Sequence, residues 1–112
     1  MNELYRKELR KVRAIGIDVF VLPTADQPEG MAFLSGHTAH CRKFHINVFG
    51  ETTSPLWLFV LFHEVAHHLL RHTLRWTSEP AWITEKAADD FALRMIRVVQ
   101  PEAFELCEQI AG

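Results

Sequence analysis

The stretch PLWLFVLFHEVAHHLLRH, residues 55–72, decides how the rest of the chain is read. Leu56, Phe59, Val60, Leu61, Leu69 and Leu70 fall almost all round a helical projection, which predicts a central helix from about 55 to 72. Ser54 precedes it as a candidate cap for the free backbone donors. Pro55 suits the first turn, where a missing N–H costs nothing.

Inside this apolar run stand His63, Glu64 and His67, the pattern HExxH. Residues four apart on a helix lie one above the other, so both imidazoles can reach a single cation about 2 Å from each ring nitrogen. Glu64, beside the first of them, can then reach a water at the cation without binding the cation itself. With seven histidines in the chain, the spacing arises by chance in roughly one such sequence in thirty, so its setting has to support it. Two imidazoles and a carboxylate buried without partners are costly, and a cation is the partner that removes the cost.

A tetrahedral catalytic site needs a third protein ligand and leaves one position for water. Downstream, SEPAWITEKAADDFALRMIRVV, residues 78–99, predicts a second helix from about 79, with Ser78 as its cap, Glu79 at its positive end and Pro80 in its first turn. Glu85 on this helix is the candidate third ligand; its bland role is an acidic residue favoured by the helix dipole. Asp89, one turn further on, shares its face and is placed to hold a histidine by its free N–H. Ala88 and Ala92 are small enough to let the two helices approach closely. Asp90 is expected in solvent, and His68 and His72 at the surface or the cleft edge. His37, His40 and His45 are solvated loop or strand histidines, or one of them donates to a developing oxyanion.

Working outward, residues 2–15 carry Leu4, Tyr5, Leu9 and Val12 on one side and predict a surface helix stopped by Gly16. IDVFVL at 17–22 predicts a buried strand, TADQPEG a loop, MAFLSG at 31–36 a second strand, GHTAHCR a turn, and KFHINVF at 43–49 a third strand. In that third strand Phe44, Ile46 and Val48 alternate with His45, Asn47 and Phe49. After Pro101, PEAFELCEQIA predicts a short last helix. The expected fold class is α+β: an N-terminal helix, a small sheet of about three strands, the HExxH helix packed on the Glu85 helix, and a short C-terminal helix.

Bulk properties narrow the function. With 48% hydrophobic residues among 112, the chain suits one domain with a real core. A net charge of −2 supplies no basic excess for neutralising a phosphate backbone, so no direct nucleic-acid partner is expected. The N-terminus lacks the apolar core of a secretory signal, and the longest apolar run, PLWLFVLF, is far shorter than the ~20 residues of a membrane span. A cytoplasmic protein without a membrane partner is expected. Cys41 and Cys107 have no framework spacing and read as free thiols, small apolar fillers more than ligands or nucleophiles.

WLFVLFHEVAHHLL followed by TEKAADDFALRMI, and preceded by FHINV and GIDVFVLP, resembles the ImmA/IrrE family of small metallopeptidases, within the wider gluzincin pattern of HExxH followed by a glutamate ligand. The resemblance covers roughly residues 4–98; its specific part is the pair of helices, while the sheet region matches in pattern only. It implies one minimal zincin-like metallopeptidase domain over 1–112, zinc held by His63, His67 and Glu85, Glu64 as catalytic base, and Asp89 supporting a histidine ligand. Where relatives often carry another acidic residue this chain has Ala87, so any such contact is missing. Relatives act on transcriptional repressors, which implies a protein or peptide substrate of the transcriptional-regulator class. The repressor domain and longer C-terminal region of some relatives are not seen in this sequence, which leaves its own target open.

The function expected is zinc-dependent hydrolysis of a peptide bond. Zinc acidifies its water toward a pKa of ~7, and Glu64 accepts the proton and delivers it to the leaving amine. An extended substrate could add to a strand edge near 31–36 or 43–49. Two alternatives stand beside it: a non-catalytic module that keeps zinc for structure and binds or senses a regulator, and a metal-free interaction domain whose histidines are incidental.

Overall fold

The computed structural model describes residues 2–22, 35–40, 44–49, 54–70 and 81–111, with side chains for 2–20, 54–70 and 82–111. The order is α1 (Glu3–Ala14), β1 (Asp18–Leu22), β2 (Ser35–His40), β3 (Phe44–Phe49), α2 (Trp57–Leu69), α3 (Ala81–Val99), one 3₁₀ turn (Pro101–Ala103) and α4 (Phe104–Ala111).

The helices start and stop for local reasons. Asn2 caps α1 by accepting the Tyr5 amide at 2.8 Å. Gly16 ends that helix with φ +94°, a left-handed conformation that costs glycine little. Before α2, the Ser54 hydroxyl accepts the Leu56 amide at 3.1 Å and the Ser54 carbonyl accepts the Trp57 amide at 3.2 Å. The expected cap is thus at work, but the regular helix begins at Trp57 and ends at Leu69, shorter than the 55–72 expected.

Packing belongs to the helices. The core joins Tyr5, Leu9 and Val12 of α1 to Trp57, Leu58, Leu61, Phe62 and Val65 of α2, with Ala92 and Ile96 of α3 and Cys107 of α4. Ile17 and Val19 are the core residues that lie outside helices and turns among those described. Tyr5 ties the start of the chain to the start of α2: its ring stacks on Trp57 at 5.1 Å, and its hydroxyl donates to the Ser54 carbonyl at 2.5 Å. Gln100 donates to the same hydroxyl at 3.4 Å. At the corner between α3 and α4, the Arg97 guanidinium sits 4.3 Å from the Phe104 ring centre.

The expected α+β class is corrected. Among residues described with their side chains, 82% are helical, in four helices with a single short strand, and that set contains no sheet. Among the residues described with their side chains, the large apolar groups of the core come mainly from helix faces. What joins the strands is backbone pairing: β1 runs parallel to β3 and β2 antiparallel to it, in the order β1-β3-β2.

Two positional expectations change with it. Strand covers Ser35–His40, so Gly36 to His40, expected as a turn, pair with Val48 to Phe44. Polar residues can occupy a strand when its ladder partner is already in place. β3 has a neighbour on each side, so no substrate strand can add at 44–49. The loop at 24–30, residues 31–34, Cys41, His72 and the helix entry Ser78 to Pro80 lie outside the described residues. No helix among the described residues is long and apolar enough to cross a membrane.

Cys107 is fully buried, and burial pushes its thiol up from 9.0 to about 11. Burial raises the Tyr5 hydroxyl in the same direction. Between those two thiol values the unfolded chain releases a proton that the folded chain keeps. The stabilisation is therefore whole below pH 9.0 and is lost as pH rises through about 11. Urea midpoints are expected to fall over this window by the equivalent of roughly 2 kcal/mol, and the fall should be shallower in Cys107→Ala. An identical alkaline profile for the two proteins would contradict this.

Candidate metal centre

The first half of the centre is one face of α2. His63 and His67 lie one turn apart there, their ring centres 4.7 Å from each other and nearly perpendicular at 83°. Their Nε2 atoms face each other at 3.1 Å.

The second half comes from α3, which packs along α2. Ala88 and Ala92 are wholly buried, and their small side chains keep the helix close to its neighbours. One turn apart on α3, Glu85 and Asp89 reach the two rings. Glu85 spans both, with Oε2 at 2.9 Å from His63 Nε2 and Oε1 at 3.0 Å from His67 Nε2. Asp89 Oδ1 lies 2.7 Å from His63 Nδ1.

The contact with Asp89 decides the chemistry of His63. A carboxylate accepts, so Nδ1 is the nitrogen that carries the proton, and in the neutral ring Nε2 is left with its lone pair. That lone pair points at the Nε2 of His67 and at a carboxylate oxygen, both within about 3 Å. Such a convergence of electron pairs is repulsive until a proton or a cation stands among them. His63, His67 and Glu85 lie close enough to hold a metal ion. Ligands about 2.0 Å from a tetrahedral ion are separated by roughly 3.3 Å. The two Nε2 atoms, at 3.1 Å, therefore need to open by only a few tenths of an ångström, and Glu85 has one oxygen within 3.0 Å of each. Two nitrogens and a carboxylate oxygen are a donor set suited to zinc.

Exposure is graded across the site. The side chains of His67 and His63 are 9% and 16% exposed, whereas that of Glu85 is 56% exposed, so the cluster is open to solvent on the α3 side. Asp89 lies between. Burial holds its carboxyl above the usual carboxylate range, and the neighbouring His63 pulls it partly back.

Glu64 is buried and stands outside the group of three, with Oε2 3.9 Å from His63 Nε2. That separation is too long for a direct hydrogen bond. Asp90 is about half exposed and pairs with Lys86 at 3.5 Å, in keeping with the solvated position expected. His68 is not at the surface as expected but buried, because α2 is covered over most of its circumference. His37, His40 and His45 belong to β2 and β3, and their side chains lie outside the described residues.

Trp82 shares a face of α3 with Glu85 and Asp89 at spacings of three and seven. No family model, curated protein or solved structure matches this chain.

If the geometry is that of a metal centre, zinc added to chelator-treated protein is expected to bind at about one ion per chain and raise the melting temperature. Glu85→Ala and His67→Ala should each abolish both effects in elemental analysis and thermal scans. Ala88→Leu, which forces α3 outward, should weaken zinc by about tenfold or more while all the ligands remain. Unchanged affinity in Ala88→Leu would mean that close approach of α3 does not set the site.

Proposed function

We propose that this chain is a zinc-dependent metallopeptidase of the ImmA/IrrE kind, acting on an extended segment of a protein substrate of the transcriptional-regulator class. The observation that carries the reading is the convergence of His63, His67 and Glu85 from two helices, with Glu64 buried beside them and outside the ligand set. A purely structural site tends to be closed by four protein ligands. Among the described residues three donors converge, and the Glu85 edge faces solvent, which suits an open catalytic position.

Zinc, when bound by these three residues, supplies a Lewis acid and lowers the pKa of water to about 7. The protein's own part follows from its geometry. Asp89 accepts the Nδ1 proton of His63 and so fixes the ring with Nε2 toward the cluster. The carboxylate of Glu64 takes a proton from the attacking water and returns it to the nitrogen of the departing amine. Burial of Glu64 keeps bulk water from competing for that proton.

Substrate position is supported by the strand order. Among the described residues β2 has a single partner and packs against α2, so its outer edge is the one near the histidine helix on which an extended peptide can form a further strand.

Glu64→Gln tests the reading against a zinc-stabilised binding module. The variant is expected to keep one zinc per chain and its thermal stability, and to lose at least about a hundredfold in turnover. Turnover is measured as new N-termini appearing in a peptide library incubated with zinc-loaded protein. A parent chain that produces no more new termini than Glu64→Gln would remove the peptidase assignment and leave the binding module.

A further inference from the structure

Beyond the histidine pair, the flank of α3 that turns toward the end of α4 carries a groove of about 510 Å³. It begins at Glu85 and Asp89 and is lined further along by Trp82, Lys86, Leu93 and Glu108. The indole of Trp82 is 70% exposed, an unusual position for the largest side chain in a protein.

The charges in the groove are unequally committed. Glu85 and Asp89 are turned to the histidines, and Lys86 is paired with Asp90 at 3.5 Å. Glu108, contributed by α4, makes no ion pair among the described residues, so its carboxylate is open to a cation in the groove. An exposed indole, the apolar Leu93 and this carboxylate together suit a long side chain ending in a cation. A guanidinium suits them better than an ammonium, because its plane can stack on the indole while its fork meets the carboxylate.

We propose that this groove binds an arginine side chain of an extended peptide lying over the metal centre. That the bound peptide is the one hydrolysed rests on the peptidase reading; recognition of the guanidinium by Trp82 and Glu108 does not.

The test uses small probes and the full chain. In ¹⁵N-labelled, zinc-loaded protein the Trp82 indole resonance is identified by its loss in Trp82→Phe, then followed as N-acetylargininamide or its neutral isostere N-acetylcitrullinamide is added. The arginine probe is expected to shift the resonance saturably and to bind at least about fivefold more tightly than the citrulline probe. Glu108→Gln should bring that ratio close to one. Equal binding of the two probes, or a ratio that Glu108→Gln does not change, overturns the proposal. The zinc-free chain is expected to keep the ratio, and losing it there would also overturn recognition by these two residues alone. If the parent chain cuts no peptide while the ratio persists, the groove is supported and the failure belongs to the peptidase reading.

Discussion

The centre of this molecule depends on the contact that presses two imidazoles of α2 against two carboxylates of α3. Neither helix alone can satisfy the groups it carries. The Nε2 atoms of His63 and His67 face each other at 3.1 Å, and Glu85 and Asp89 are carboxylates beside the apolar face of a packed helix. Brought together, the two pairs place two imidazoles and a carboxylate close enough to hold a metal ion. Ala88 and Ala92 make the approach close enough, and any larger residue there would act on the centre without touching it.

The rest of the fold holds that contact in place. α1 is fastened to the start of α2 through Tyr5, which stacks on Trp57 and donates to the Ser54 carbonyl. The turn from α3 into α4 is fixed by Arg97 over Phe104 and by Cys107 deep in the core. The position of α2 is therefore set at one end by α1 and along its length by α3, while β2 and β3 pack against it. Its burial on most sides brings Glu64 and His68 inside along with the ligands.

Chemistry and access are separated across α3. The face toward α2 carries the ligand and the residue that orients His63. The adjoining flank carries Trp82 and, from α4, Glu108, with Glu85 and Asp89 at the boundary of both.

The amino-acid sequence by itself determined the parts of the site that depend on helical periodicity. HExxH puts His63 and His67 one turn apart wherever the helix lies, and Glu85 and Asp89 repeat that spacing, so the donor set was legible before any tertiary contact was known. Gly16 and Ser54 marked helix boundaries because their effects reach only a few residues. What tertiary structure alone decided is whatever depends on partners distant in the chain. The polar run Gly36 to His40 became strand because β3 pairs with it, and β3 became central, and so closed to a substrate, because β1 lies on its other side. The balance of the fold moved to helix because helix faces fill the core, His68 was buried by neighbours its own sequence context does not reveal, and Glu108 reached the flank of α3 through the turn at Pro101–Ala103. Local spacing is fixed by bond geometry, whereas burial and strand order are settled by long-range packing.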